Sequence, residues 1–380
     1  MSPRPRLLIL SFSPIAGDAR VLKQVRLFSE RYEVTTCGYG EAPEGVARHI
    51  RIPDTARMSG PDGRLITLRQ YRIAYWRVPA IAWARRHLTA GDWDVVLAND
   101  IEAAPVALGL GATGGVHADL HEYSPRLHEQ DAAWNRRIRP YLEWICERYV
   151  RRADSATTVS EGLAREYERR FGIRSELVTN AAPYLEIAPR PVSEPIRLVH
   201  SGACLRKRNL PALVAAAAAT STPVILDLFL TPNDPGLLAE LRAAAEKTDN
   251  VRVQDPVPYD DLADTLAGYD VGLHVLPPSD FNNANALPNK LFDYVQARLG
   301  VVIGPTPEMA ARVREFGLGV VAEDFGVDAL VAALDQLTVE SVTGFTRAAD
   351  AAARELSAET QLPIWERAID ALAARSKARS

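Results

Sequence analysis

The sequence predicts an α/β protein built from two doubly wound domains facing a central cleft, and three observations carry that expectation. Short runs rich in Val, Ile and Leu alternate with helical patterns of roughly 10–15 residues, the signature of βαβ units and a parallel sheet. The alternation runs twice, interrupted at 183–195, PYLEIAPRPVSEP, where four prolines leave little to bury. The length, 380 residues, suits two domains at roughly 100–200 residues each.

Taken in order, RLLILSF reads as a buried first strand, because the apolar run Leu7 to Leu10 is too short for a signal-peptide core. GDARVLKQVRLFSE follows as a helix and YEVTTCGYG as the next strand. DVVLAND, GGVHADLHEY and SATTVS add strands, the last of them before the helix EGLAREYERRFG. The second half pairs IRLVHSGA with NLPALVAAAAAT, VILDLFL with PGLLAELRAAAEKT, and VRVQDPV with DDLADTLAGY. It continues with DVGLHVLPP before NKLFDYVQARLG, and VVIG before PEMAARVREFG. In open sheets of this kind ligands bind beyond the carboxyl ends of the strands, near helix N-termini, so the site is expected in the cleft.

Composition removes several classes. With 47% hydrophobic and 24% charged residues, the chain is neither a disordered tail, a collagen-like repeat nor a bulk nucleic-acid binder. Cys37, Cys146 and Cys204 stand far apart in no metal-ligand spacing, which argues against a disulfide framework or zinc module and suits a reducing cytoplasm. No run approaches the ~18 apolar residues of a membrane span. The net charge of −4 hides a split, +4 over residues 1–190 and −8 over 191–380.

Five motifs bear on chemistry. SPIAGDAR offers Gly17 as a place for the backbone to approach a phosphate; a plain turn with Asp18 as helix N-cap fits equally well. Gly17 stands alone, so the GxGxxG of a dinucleotide oxidoreductase is missing. DWD, Asp92 to Asp94, could hold a divalent cation, but it runs straight into a strand and reads better as its polar start. His121 in DLHEYSP follows a strand end and suits hydrogen bonding to a substrate hydroxyl or phosphate. HSGACLRKRNLP places Arg206, Lys207 and Arg208 between a strand and a helix N-terminus, a fitting diphosphate site or else a solvated basic turn. In NNANALPNKLFDY, Asn285, Ala286 and Leu287 lead to Pro288 at a helix start. Lys290 then lies in the first turn, where the helix dipole disfavours a cation unless an anion sits there too. Asp293, three residues on, shares that face and suits ribose hydroxyls.

These segments resemble the GT-B-fold retaining glycosyltransferases of the large Glu-x7-Glu family (glycosyltransferase family 4-like). The likeness extends over nearly the whole chain and is most specific across ALPNKLFDYVQARLGVVIGPTPEMAARVREFGLGVVAEDFG. It implies two Rossmann-like domains, 1–188 on the acceptor side and 189–358 binding the nucleotide sugar, with 359–380 as a helix crossing back to the first. By the same resemblance Asp293 takes the place of the second signature Glu at the ribose. Lys290 with Arg206 or Lys207 holds the diphosphate, His121 meets the transferred sugar, and Gly17 lies beside the phosphates. The first signature Glu falls at Asn285, which can hydrogen-bond a hydroxyl but carries no negative charge. The implied reaction moves a sugar from a UDP- or GDP-sugar to an acceptor hydroxyl with retention, with no metal and no further cofactor.

Residues 64–88 carry six arginines and no acid, together with Trp76 and Trp83. They read as a basic amphipathic helix kinked at Pro79, and 134–152 has a related character. Such a face suits a peripheral contact with anionic lipid or an anionic acceptor, whether carbohydrate, lipid-linked or small; core aromatics under a solvated arginine face are the plainer reading. Two other functions share the architecture: a nucleotide-sugar 2-epimerase, whose catalytic carboxylates find no place here, and a non-catalytic nucleotide-sugar binder, for which Asn285 speaks.

Overall fold

The structure is a computed structural model that describes residues 4–379. The chain divides into two compact units. One comprises the chain up to Val178 with Asp280–Asn282 and the terminal segment from Gln361; the other comprises Thr179–Ser279 and Asn283–Thr360.

The first unit contains seven parallel strands: β1 (Arg6–Pro14), β2 (Glu33–Tyr39), β3 (Arg48–Arg51), β4 (Val95–Asn99), β5 (Gly115–Leu120), β6 (Ser155–Thr158) and β7 (Glu176–Leu177). Their order in the sheet is β3-β2-β1-β4-β5-β6-β7. Leu7 to Leu10 of β1 are all fully buried because helices cover both faces of a parallel sheet. Side chains alternate between those faces. Leu8 and Leu10 join a core with Ala80, Ile81 and Ala84, while Leu7 and Ile9 join one with Val21, Val25 and Phe28. Trp365, Ile369 and Leu372 of the terminal helix (Ala358–Arg379) complete that second layer.

The second unit contains β8 (Ile196–Ala203), β9 (Val224–Thr231), β10 (Val251–Gln254), β11 (Val271–His274), β12 (Gly300–Ile303) and β13 (Gly319–Val321). All pairings are parallel, in the order β10-β9-β8-β11-β12-β13. In both sheets the order reverses beside the first strand, the switch point where doubly wound folds open a crevice.

Residues 64–88 do not form one kinked helix. Three short ones replace it, Gly63–Thr67, Tyr71–Trp76 and Pro79–His87. Arg69 adopts a left-handed φ of 53° just past the first. Val78, preceding Pro79, is extended, as a residue before proline prefers, so the chain restarts with Pro79 in the first turn of the third helix. The apolar residues do not share one outward stripe: Ala80 is buried, while Leu68 and Ile73 are 67% and 48% exposed. Trp76 and Trp83 pack partly buried against the core.

Candidate functional site

In the first unit, the carboxyl end of the sheet gathers a polar network at its switch point. Asp119, the penultimate residue of β5, is fully buried and receives two charge-assisted bonds from Arg20, Nε to Oδ2 at 2.7 Å and Nη2 to Oδ1 at 2.6 Å. Arg20 stands in the first turn of helix Ala19–Phe28, which Asp18 caps by accepting from the Arg20 and Val21 backbone N–H groups. Gln24, one turn later, donates to Asp119 and to Asn99 of β4. Thr157 of β6 donates to Asp119 at 2.7 Å and accepts from the Trp365 indole N–H at 3.1 Å. The terminal helix thereby reaches the network through one hydrogen bond and through Arg20, whose guanidinium lies 4.8 Å from the Trp365 ring.

His121 sits at the rim of this network with its side chain 19% exposed. Its Nε2 lies 3.2 Å from Asp119 and 3.1 Å from Asn99, and its Nδ1 lies 3.4 Å from Asp100. Burial works against the imidazolium, but Asp100 and Asp119 outweigh it, so the His121 pKa lies above the usual value. Asp119 goes the other way: burial opposes its charge, yet Arg20 and His121 hold the carboxyl far below the usual range. The arrangement is a mostly buried imidazole, oriented on both nitrogens and biased toward its charged form.

Gly17 lies exposed in the turn after β1, with an ordinary φ and open space where a side chain would project. Neither folding nor packing requires glycine there. Asp94 of DWD accepts from the Arg6 backbone N–H and the Ser376 hydroxyl, each at 2.7 Å, a structural role at a strand start. No group of three or more His, Cys, Asp or Glu suited to a metal is found among the described residues.

The second unit concentrates cations at its own switch point. The Tyr294 ring of helix Asn289–Gln296 packs where a Gly272 side chain of β11 would stand. Lys290 lies one turn toward the helix N-terminus, and its charge acts on His274, two residues beyond Gly272 in β11. The ammonium lies over Gly202 of β8, where a Cβ would come within 2.5 Å of Nζ. Gly202 has φ +138°, so its backbone conformation calls for glycine, and the ammonium occupies the space that this leaves. Burial, reinforced by the Arg208 charge and opposed by Asp293, lowers the Lys290 pKa to about 8.

Three further polar groups share this spot. Arg208 is half-buried, forms no ion pair among the described residues, and its Nε lacks a partner. The His200 and His274 rings stack at 6.0 Å, both buried. His200 Nδ1 donates to the Leu273 carbonyl, whereas its Nε2 and both nitrogens of His274 have no protein partner. Burial, then the Lys290 charge, holds both imidazoles neutral, with His200 lowered to about 3. Two neighbouring partly buried cations, next to polar nitrogens that lack partners, form a site suited to an anion.

The residues read from the sequence divide accordingly. Lys290 and Asp293 stand on the helix as the spacing demanded. Asn285 and Ala286 lie on the loop before it, while the Leu287 side chain is 4% exposed in the core and anchors that loop. Arg206 is exposed and committed to Glu240 at 2.8 Å and Asp234 at 3.3 Å, and Lys207 is exposed. Arg208, which the carry-over omitted, is the member of RKR that turns inward. His200 and His274 were missed because they lie within otherwise apolar strands. Asp119 was passed over as a strand end, although an acid inside a buried parallel strand is itself a signal of a partnered charge.

Comparison with known proteins follows the same lines. Residues 21–181 match the profile of Glycosyltransferase Family 4. Among curated proteins no sequence matches. Among solved structures, sucrose-phosphate synthase from Thermosynechococcus elongatus superposes with a TM-score of 0.71 at 16% identity, covering 98% of this chain and 100% of that one. HepE of Anabaena, in complex with UDP-glucose, gives 0.69 at 14% identity, covering 97% and 100%. A glycosyltransferase from Rickettsia africae gives 0.68 at 10%, covering 97% and 98%. At these identities the structural likeness shows the fold: two parallel-sheet domains of the GT-B type.

Proposed function

We propose that this chain, a glycosyltransferase by the family matched over 21–181 and by its GT-B fold, takes its sugar from a nucleoside-diphosphate donor. The observation that carries the reading is Lys290, whose ammonium lies over the bare backbone of Gly202 and feels the charge of Arg208, a guanidinium with no ion pair among the described residues and an unpartnered Nε. A diphosphate supplies the missing charge and the missing acceptors. UDP and UDP-glucose in the HepE complexes favour a UDP-sugar over a GDP-sugar. Asp293 and the loop Asn285–Ala286–Leu287 serve the ribose and the sugar, Gly17 leaves the phosphates room, and Arg206 and Lys207 act at most from the rim.

In this reading the bond from the anomeric carbon to the phosphate oxygen breaks as the acceptor oxygen bonds to that carbon. The acceptor proton passes to the departing diphosphate, so the new bond forms on the same face and configuration is retained. Lys290, Arg208 and the helix N-terminus stabilise the leaving charge without a metal. His121, oriented by Asp119 and Asp100, hydrogen-bonds a hydroxyl of the transferred sugar. Asn285, neutral where the resemblance expects an acid, favours one second reading, a binder that holds the donor without transfer.

The test is incubation with UDP- and GDP-sugars and a panel of hydroxyl acceptors. Nucleoside diphosphate released with a glycosylated product supports transfer. Binding with every donor left intact supports the second reading, and an epimerised donor contradicts both.

A further inference from the structure

The sequence singled out 64–88 for its arginines, and the donor site leaves them unused. Arg64, Arg69, Arg72, Arg77, Arg85 and Arg86 form no ion pair among the described residues, nor do Arg148, the last residue of the helix Arg139–Arg148 that packs beside them, and Arg151 and Arg152 just after it. On the helix Glu161–Phe171 and just after it, by contrast, Arg165, Arg169 and Arg174 are each paired with a nearby acid, Glu161, Glu166 and Glu168. Arg72, Arg148, Arg151 and Arg152 converge on a groove of about 540 Å³ walled by Trp144 and Tyr149. The one acid there, Glu147, faces Arg170 at 3.6 Å. Leu68 and Ile73, which flank Arg72 in sequence, are two of the four large hydrophobic residues exposed among the described residues.

From this juxtaposition we propose that the face around the groove docks on an anionic phospholipid bilayer, with lipid phosphates entering among Arg72, Arg148, Arg151 and Arg152. A soluble anion would need the groove alone. Charge carried along a segment of three short helices, with exposed Leu68 and Ile73 in the same segment, matches a charged interface with an acyl region beneath it. The aromatics of the segment contribute by holding the three helices on the core, not by inserting. The proposal stands independently of the donor assignment.

The test is co-sedimentation of the full chain with vesicles of equal parts phosphatidylglycerol and phosphatidylcholine, against phosphatidylcholine alone. Binding is expected to the first only and to weaken with salt. Each arginine near such a surface contributes about fivefold, so R72Q/R148Q/R151Q lowers the partition coefficient by roughly a hundredfold. L68S/I73S gives a smaller loss with no change in charge. R165Q/R169Q/R174Q removes the same charge from positions already paired with acids and stays within about threefold of the parent. The proposal is overturned if that control loses as much as the groove variant, or if both vesicle types bind alike. It also fails if millimolar inorganic phosphate releases the protein where sodium chloride of equal ionic strength does not, which would mark a soluble-anion pocket.

Discussion

Replacing Lys290 with Met makes a prediction of unusual sign: the ligand-free protein becomes more stable. The ammonium is largely buried and Arg208 repels it, and the attraction of Asp293 does not make up the difference. A fall of the pKa from 10.5 to about 8 corresponds to roughly 3 kcal/mol between protonation states. Discounted for the solvent that reaches the site, K290M should gain about 1–3 kcal/mol at neutral pH. That is roughly 3–10 °C in the melting of a unit this size. The pH dependence has a definite sense. Between about 8 and 10.5 the unfolded chain binds the proton and the folded one does not, so Lys290 makes stability rise with pH across that window. Below it both states are charged and the cost is present in full, so the advantage of K290M is flat there and fades as pH climbs toward 10.5. With UDP at about 100 times its dissociation constant the parent gains roughly 2.7 kcal/mol and K290M gains almost none, so the order of stabilities narrows or inverts. Thermal and urea unfolding with and without UDP measure both arms. If K290M is the less stable form without ligand, Lys290 is a structural partner and the reasoning about a prepared anion site fails.

Three other outcomes follow from the same structure. Arg208→Gln should weaken nucleoside-diphosphate binding about 10–100-fold in calorimetry, while Arg206→Gln, which breaks only an exposed pairing, should stay within about threefold. Asp119→Asn leaves the Arg20 charge buried without its counter-ion and should cost about 3–5 kcal/mol in urea unfolding; a loss under 1 kcal/mol would contradict the network. His121 should titrate above 6.5 by NMR and fall toward or below that value in Asp100→Asn; its raised folded value means its stabilising contribution is complete below pH 6.5 and disappears as pH rises through the folded pKa.

Much of the fold could be read from the chain because parallel strands buried on both faces appear as unbroken apolar runs, and Leu7 to Leu10 or Val95 to Ala98 admit few other readings. The short edge strands β3 and β7 escaped, since RHIR and EL bury too little to leave a pattern. The single helix over 64–88 failed because the turn at Arg69 is a backbone conformation that the side-chain pattern does not announce. At the site, Lys290 was legible as a cation placed against a helix dipole. Which of Arg206, Lys207 and Arg208 turns inward depends on a short helical turn between strand and helix, and on acids more than 25 residues away that claim Arg206. His200 and His274 gain meaning only when two strands lie side by side and their rings stack where the Lys290 charge acts on them.

The central claim is that Lys290 and Arg208 hold the diphosphate of a nucleotide sugar. Phosphorus-31 NMR of UDP and UDP-glucose, titrated with the full chain, tests it most directly. Both phosphate resonances should shift and broaden with the parent protein, and remain as in free solution with K290M and with R208Q. Unchanged spectra with the parent, or equal shifts with all three proteins, would contradict the claim.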